Sequence, residues 1–178
     1  MDTMAIKTDE NFMQMALREA QRAYKKGEVP IGAVVVYEGK IIGQAHNQPI
    51  LRQDPTAHAE ILALREAAQR INNYRLTGCT LFVTIEPCLM CTGAMQNARI
   101  ERLVFGAIDP KGGGVCSQCK LREFARLDYP PHVTQGVLKE ECGEIIQRFF
   151  KARRPGKQDS HAGRAKGSVK EGEVPKWS

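Results

Sequence analysis

The spacing of apolar and polar residues along the chain predicts the helices. In two long segments, apolar residues recur three and four positions apart, as they do on the buried face of an amphipathic helix. The first of these segments stops at Gly27, as a helix with a glycine C-cap does. The sequence predicts helices over 9–26, 57–71, 88–98 and 138–154.

Runs of apolar residues between these segments predict the strands. Two runs flank Glu38-Gly39, a short turn signal, and form a predicted hairpin. Two later runs are apolar throughout, which is typical of strands buried on both faces. Strands are predicted over 31–37, 40–45, 80–85, 102–108 and near 132–137. Strands joined by helices predict an α/β domain with three layers, α/β/α, around a mixed sheet of about five strands.

Composition and charge indicate where the folded domain ends along the chain. With 178 residues, of which 42% are apolar and 26% charged, the chain suits one globular domain. The net charge is +6, of which +5 belongs to residues 151–178 and only +1 to the other 150 residues. Gly, Ser, Lys and Pro dominate from 155 onward, so we expect a domain over 1–154 and a basic, disordered tail over 155–178. Such a tail favours a polyanion as partner, with a merely solubilising tail as the alternative.

Two targeting signals are missing from the sequence. No stretch approaches the roughly 18 to 20 consecutive apolar residues of a membrane span. The first residues, MDTMAIKTDENF, lack the charged start, apolar core and cleavage site of a secretory signal. The sequence therefore predicts a cytoplasmic protein with no membrane partner.

Two ionisable residues, His58 and Glu60, stand two positions apart at the start of the predicted helix 57–71. They flank the apolar stripe of that helix, so both are expected to face the protein. Because helical side chains lean towards the N-terminus, both can converge on a site beyond that end of the helix. Taken alone, the pair also fits a helix cap and a first-turn acid favoured by the helix dipole.

The segment IEPCLMCTGAM places two thiols three positions apart at the start of the next predicted helix. Cys88 and Cys91 share a helix face there, and the N-terminal dipole lowers their pKa values, so both can be thiolates. Two thiolates and the imidazole of His58 give Zn²⁺ three ligands and leave a fourth position for water, as in catalytic sites. Glu60 is then placed to carry the proton of that water to a leaving group.

The same residues resemble a family signature. His58-Ala-Glu60, followed by Pro87-Cys88-Leu-Met-Cys91, is similar to the H-x-E…P-C-x-x-C motif of the zinc-dependent nucleoside and nucleobase deaminases. Longer segments resemble the bacterial tRNA-specific adenosine deaminases, of the cytidine/deoxycytidylate deaminase superfamily, over residues 11–154. They are GEVPIGAVVV, NQPILRQDPTAHAEILALREA, NYRLTGCTLFVTIEPCLMCTGAM, RLVFGAIDPKGG and FFKARR.

The resemblance implies both an activity and an assembly. The implied fold is cytidine-deaminase-like, and the implied reaction is the hydrolytic deamination of adenosine to inosine at the wobble position of a tRNA anticodon by a zinc-activated water. His58, Cys88 and Cys91 would hold one Zn²⁺ per subunit, and Glu60 would shuttle the proton. The family is homodimeric, so we expect the partner subunit to help complete each site.

The resemblance also implies which residues bind the anticodon stem-loop. An asparagine hydrogen-bonds the target base above a short pocket floor, a loop residue lies near the neighbouring nucleotide, and the last helix meets the anticodon loop. In this sequence the asparagine is Asn47, the floor is Val29 and Pro30, the loop residue is Asp109, and the helix residues are Phe149, Arg153 and Arg154.

Two alternatives stay open. Cys116 and Cys119 form a second CxxC pair in a loop, 112–132, that departs from the family pattern. Together with Cys88 and Cys91 they would make the four-cysteine zinc ribbon of a binding module, which leaves the histidine and the glutamate unexplained. Among enzymes, a deaminase of a free base or nucleotide, such as guanine, cytosine or deoxycytidylate, would share the zinc core. Such an enzyme has no use for a basic terminal helix and tail.

Overall fold

A mixed five-stranded sheet forms the middle layer of the protein. The computed structural model describes residues 3–117 and 132–153, with side chains described from residue 9 onward. The strands are β1 (Gly32–Tyr37), β2 (Lys40–His46), β3 (Thr80–Ile85), β4 (Arg102–Ala107) and β5 (His132–Gln135). Their order is β2-β1-β3-β4-β5. Strand β1 pairs antiparallel with β2 and β3, whereas β4 pairs parallel with β3 and β5.

Helices cover both faces of the sheet. They are α1 (Thr3–Lys25), α2 (Pro49–Arg52), α3 (Ala59–Arg70), α4 (Leu89–Ala98) and α5 (Lys139–Arg153). Helices α1 and α5 pack on one face, and α3 packs on the other, where it also contacts α4. The predicted three-layer α/β/α architecture with a mixed sheet of about five strands is confirmed. None of the described helices is both long and apolar enough to cross a membrane.

Alternation along the strands divides the core into two clusters. Val34 and Phe82 belong to the cluster under α1 and α5, whereas Val35 and Leu81 belong to the cluster under α3 and α4. Successive residues of a strand point to opposite faces, so an apolar run with no polar interruption feeds both clusters. This is why the fully apolar runs of the sequence became the central strands β1, β3 and β4.

The observed helices and strands differ in places from the predicted ones. The first helix extends back to Thr3, beyond the predicted start at residue 9. The helix predicted over 57–71 begins at Ala59, because His58 has extended backbone with φ −72° and ψ 151°. The four-residue helix α2 was not predicted, since a single turn is too short to show helical periodicity. Arg154 and the expected tail over 155–178 lie outside the described residues.

The hairpin between β1 and β2 forms as predicted. Glu38 has φ 48° and Gly39 has φ 74°, so both turn residues occupy the left-handed region. Two positive φ angles in a two-residue turn match the twist of the strands that they join, and glycine takes such an angle without strain. The hairpin places the end of β2, with His46 and then Asn47, beside the start of β1 at Gly32.

Candidate active site

Three side chains with metal-binding atoms meet where α3 and α4 begin. His58 is the N-cap residue of α3 and Cys88 is the N-cap residue of α4, both with extended backbone. Cys91 lies in the first turn of α4 and is fully buried. The ligand atoms of the three residues all lie within 4.8 Å of one another. The two helices contact each other on the same side of the sheet, which brings their first turns together.

The distances between these atoms fit Zn²⁺. Nδ1 of His58 lies 3.6 Å from Sγ of Cys88 and 3.5 Å from Sγ of Cys91. In a tetrahedral zinc site, bonds of about 2.3 Å to sulfur and about 2.0 Å to nitrogen hold such a nitrogen and sulfur about 3.6 Å apart. Nδ1 is therefore the ring nitrogen that would ligate the metal, together with the two thiolates.

The two thiols have pKa values shifted in opposite directions. The pKa of Cys88 is lowered to about 4, because its sulfur accepts hydrogen bonds from Cys91 and His58 whose effect outweighs burial. The pKa of Cys91 is raised, because its proton is held in the hydrogen bond to Cys88 and the thiol is buried. The pair by itself thus keeps one proton. A cation that binds both sulfurs displaces that proton, since metal ligation requires thiolates.

Glu60 supplies a buried carboxyl beside the three ligands. It lies in the first turn of α3, two residues after His58, and only 3% of it is exposed. Its Oε2 has no hydrogen-bond partner among the residues that the structure describes. Burial raises the pKa of this carboxyl to about 7. A carboxyl beside the ligand group that has a pKa near neutral pH and an oxygen without a hydrogen-bond partner is suited to take up and return a proton.

The two-residue spacing of His58 and Glu60 has a simple geometric basis. The sequence placed both residues inside a helix, on either side of its apolar stripe. In the structure His58 precedes the helix, with extended backbone, and Glu60 follows in the first turn. An extended residue and a first-turn helical residue thus bring the imidazole and the carboxyl to one site, where the two side chains interact.

Asn47 links this site to a neighbouring groove. Its side chain is buried, and Oδ1 accepts a hydrogen bond of 2.8 Å from the backbone N–H of Ala59, the residue between His58 and Glu60. Its own backbone N–H donates to the carbonyl of Ile31 over 3.0 Å. Because Oδ1 is held at the first residue of α3, the Nδ2 group of the amide is turned away from Ala59.

The groove has a volume of about 910 Å³ and brings together residues that are far apart in the sequence. The loop before β1, the loop after β4 and the exposed side of α5 form its walls. Its lining includes Val29, Ile31, Ile85, Asp109, Lys111, Phe150, Lys151 and Arg153. Three of the predicted substrate residues, Val29, Asp109 and Arg153, thus share one surface, and Pro30 is buried next to Val29.

Phe149, which the resemblance assigns to the helix that meets the anticodon loop, is buried against α1. It is only 4% exposed, and its ring packs edge-on against Tyr24 with a centroid distance of 5.7 Å. The guanidinium carbon of Arg153 lies 3.9 Å from its ring centroid. The exposed aromatic ring of α5 is Phe150, which is 47% exposed and lines the groove. The spacing of Cys142, Ile145 and Phe149, three and four positions apart, puts Phe149 on the buried face of α5 and leaves Phe150 outside that face.

The second CxxC pair does not join the metal-binding group within the described part of the chain. Cys116 is exposed, and Cys119 lies outside the described residues. Over residues 3–117 and 132–153, the group that could hold a metal consists of His58, Cys88 and Cys91. Cys116 does not belong to it. The histidine that a zinc ribbon leaves unexplained therefore belongs to the group that could hold a metal.

Known proteins are similar to this chain in sequence and in fold. Residues 6–107 match the family model of the cytidine and deoxycytidylate deaminase zinc-binding region. The tRNA-specific adenosine deaminase of Bacillus subtilis is 47% identical over 150 residues, which cover 84% of this chain and 93% of that protein. A solved structure from studies of A-to-I editing by tRNA:A34 deaminases at the wobble position of transfer RNA matches with a TM-score of 0.73 and 44% identity, covering 76% of this chain and 98% of that one. Guanine deaminase from Nitrosomonas europaea shares the fold, with a TM-score of 0.70 at 23% identity, covering 80% of this chain and 84% of that one.

Proposed function

Because the chain belongs to the tRNA-specific adenosine deaminases, within the family that shares the cytidine and deoxycytidylate deaminase zinc-binding region, we propose that it hydrolyses adenosine to inosine at the wobble position of a tRNA anticodon. The observation that carries the proposal is the juxtaposition of Glu60 with the three-ligand group. A buried carboxyl with an unpartnered oxygen lies two residues from a histidine that meets two cysteines at zinc-ligand distances.

Glu60 moves the protons of the reaction. Water adds at C6 of the purine, and the amino group leaves as ammonia. When bound by His58, Cys88 and Cys91, Zn²⁺ would supply the Lewis acidity that lowers the pKa of a water molecule towards neutrality. Glu60 accepts a proton from the attacking water and delivers it to the departing amine, which returns the carboxyl to its starting state. Burial excludes bulk water from Glu60, so the proton passes between substrate and enzyme.

Asn47 orients the target base. The hydrogen bond from Ala59 to Oδ1 fixes the plane of its amide, and Nδ2 donates to the base. Val29 and Pro30 form the floor of the pocket, and Asp109 lies beside the neighbouring nucleotide. Because Asn47 is bonded both to the wall of the groove at Ile31 and to the start of α3, a base held by Asn47 lies next to Glu60.

The groove along α5 binds the anticodon stem-loop. Lys111, Lys151 and Arg153 supply positive charge for the phosphates, and the exposed ring of Phe150 offers a surface for base stacking. Arg154 and residues 155–178 carry further positive charge in the sequence. A deaminase of a free base or nucleotide has no need of the basic and aromatic residues of α5.

A second, apolar groove supports a homodimer. It has a volume of about 640 Å³ between α3 and α4, and its lining includes Ile61, Leu64, Leu89, Met90 and Ala94. Leu89 is 53% exposed and Met90 is 38% exposed, although both residues stand between the ligands Cys88 and Cys91. Exposed apolar patches of this kind mark protein interfaces. A second copy of the chain on this face covers the patch and encloses the metal site.

The homodimer is tested by charge substitution in this groove. Met90→Lys places an ammonium in the apolar interface, so we expect sedimentation to show a monomer where the parent enzyme is a dimer. Tyr37→Lys is the matched control, since Tyr37 is 39% exposed and lies on the β1–β2 hairpin. A Met90→Lys enzyme that sediments as the parent does, with Tyr37→Lys unchanged, contradicts an interface at this groove.

The cytoplasm is the compartment that suits this chemistry. Thiolates that hold a metal persist in a reducing compartment, whereas an oxidising one converts neighbouring thiols to disulfides. We therefore place the enzyme in the cytoplasm, together with its tRNA substrate.

The decisive experiment supplies the enzyme with competing substrates. An anticodon stem-loop with adenosine at the wobble position should yield inosine there, and the same loop with guanosine at that position should yield none at its other adenosines. Free adenosine should react poorly, because much of the binding energy comes from contacts outside the pocket. Cytidine, deoxycytidylate and guanine belong in the same assay. Efficient turnover of one of them, with the stem-loop untouched, replaces the tRNA function by that of a small-substrate deaminase.

A further inference from the structure

Glu86 is a buried carboxylate that takes no part in the proposed catalytic steps. It directly follows β3, stands two residues before Cys88, and is 1% exposed. Its two oxygens accept five hydrogen bonds, all of them from residues 109–117. Oε1 accepts the backbone N–H groups of Val115, Cys116 and Ser117, at 3.1, 2.6 and 2.9 Å. Oε2 accepts the backbone N–H of Asp109 at 3.2 Å and the hydroxyl of Ser117 at 2.5 Å.

The segment 109–117 lies in direct contact with the start of α4. Gly114 donates from its N–H to the carbonyl of Pro87 over 2.8 Å, and Gly113 forms an isolated β-bridge with Cys88. A Cβ at Gly113 would overlap the carboxylate of Glu86, and one at Gly114 would lie 2.7 Å from the backbone nitrogen of Leu89. Gly113 therefore permits the loop backbone to lie against the carboxylate of Glu86, and Gly114 permits it to lie against the start of α4.

The same segment carries one wall of the groove at its other end. Asp109 and Lys111 line the groove, and Oδ1 of Asp109 accepts the N–H of Lys111 over 3.0 Å. The carbonyl of Asp109 accepts the N–H of Gly113 over 3.0 Å, so the turn is closed on itself. Its attachment to the rest of the protein at Asp109 is the hydrogen bond from the backbone N–H to Glu86. Glu86 thus lies between the metal ligands on one side and the substrate groove on the other.

The donors that surround Glu86 stabilise its charged form. Burial by itself raises the pKa of a carboxyl, but the hydrogen bonds from Ser117, Cys116 and Asp109 outweigh burial and hold the pKa of Glu86 below its ordinary value. Five hydrogen bonds to one carboxylate hold its side chain in one orientation. Because Glu86 follows β3 directly and stands two residues before Cys88, these bonds hold the loop in place relative to β3 and α4.

We propose that Glu86 is a positioning residue for the substrate: its carboxylate holds residues 109–117 against the start of α4 and so fixes Asp109 on the groove wall at a set distance from the reacting centre. The inference rests on the proposed role of the groove in binding the anticodon stem-loop. A residue of this kind affects how substrate binds more than how fast bound substrate reacts.

The substitution Glu86→Gln should break the hydrogen bond to Asp109 and keep those to residues 115–117. The glutamine carbonyl replaces Oε1 and accepts the same three backbone N–H groups, while its NH₂ group replaces Oε2. That NH₂ group then meets the N–H of Asp109, and two donors cannot bond to each other, whereas the hydroxyl of Ser117 can rotate to accept. We expect KM for the stem-loop to rise about tenfold, with kcat nearly unchanged and zinc retained. Ser117→Ala is the matched control, because it removes one bond to Oε2 and leaves the one from Asp109, so KM should stay at the parent value.

Two measurements show whether Glu86 acts through Asp109. In a double-mutant cycle, the KM increase caused by Glu86→Gln should disappear in an Asp109→Ala background. Hydrogen exchange in the unliganded zinc enzyme should speed up at the Asp109 amide in Glu86→Gln and not in Ser117→Ala, and this readout needs no substrate. If Glu86→Gln does not fold, Glu86→Asp takes its place, since the shorter carboxylate cannot reach both sets of donors.

Specific outcomes overturn the proposal. It fails if Glu86→Gln leaves KM and the Asp109 exchange rate unchanged, if it lowers kcat together with zinc content, or if its effect on KM is equally large in the Asp109→Ala background. Failure of the proposed function is distinguishable, because then the unsubstituted enzyme leaves the stem-loop untouched while the exchange experiment still reports whether Glu86 holds the loop.

Discussion

Replacing Glu60 with glutamine should separate catalysis from both metal binding and folding. The two side chains have nearly the same shape, and the ligand atoms on His58, Cys88 and Cys91 are not altered. A positioned general acid–base contributes about 10²- to 10⁴-fold. We expect the upper end, because Glu60 both accepts and delivers a proton in the same turnover.

The loss of activity should come with little loss of stability. A fall in kcat/KM of about 10⁴-fold corresponds to about 5.5 kcal/mol of transition-state stabilisation. A buried polar atom without a hydrogen bond costs about 1–3 kcal/mol of folding free energy. Oε2 of Glu60 is such an atom. Glutamine puts an uncharged polar atom in the same place, so the cost of an unpartnered atom stays and that of burying a charge is avoided. The substitution should therefore leave the free energy of unfolding unchanged within about 1 kcal/mol, or raise it.

Three measurements on one preparation test this prediction: kcat/KM on the stem-loop, zinc per chain, and thermal unfolding. Glu66→Gln is the control, because Glu66 is an exposed acid on the same helix and glutamine can still accept the hydrogen bond from the N–H of Gln44. We expect one zinc per chain in all three proteins. A Glu60→Gln enzyme within tenfold of the parent activity, or one that is folded but lacks zinc, refutes the reasoning.

Other consequences of the site can be measured as directly. Cys88→Ala should abolish stoichiometric zinc binding in metal analysis, because one thiolate and one imidazole hold the ion far more weakly; retention of one zinc per chain would show that the ligand set is wrong. Replacing Cys116 and Cys119 together by serine should leave zinc content and most of the activity unchanged, and loss of zinc would favour the ribbon. Arg153→Glu should weaken stem-loop binding. In a binding titration, the slope of log K against log salt concentration should fall in magnitude by about 0.7–0.9 for each phosphate that the enzyme no longer neutralises. An unchanged slope contradicts an interaction of Arg153 with phosphate.

The sequence determined most of the fold because its local and global signals agree. The run TLFVTI is β3 from Thr80 to Ile85, and the Glu38-Gly39 turn joins β1 to β2. Apolar runs of this kind have few other ways to be buried, so their positions alone predict central strands. Element ends were less certain, since α3 starts at Ala59 through the backbone angles of His58, which periodicity does not reveal.

The sequence by itself also determined the chemistry of the site, because His58, Glu60, Cys88 and Cys91 have few other uses in that combination. Only the tertiary structure decided how the rest of the chain serves them. The place of Phe150 in the groove depends on where α5 lies against α1, and Asp109 reaches the groove because Glu86 holds its loop. Spacing along the chain reports which residues share a helix face or a strand. It does not report contacts between segments more than twenty residues apart, because those contacts depend on how the packed elements are arranged, and the groove and the role of Glu86 consist of such contacts.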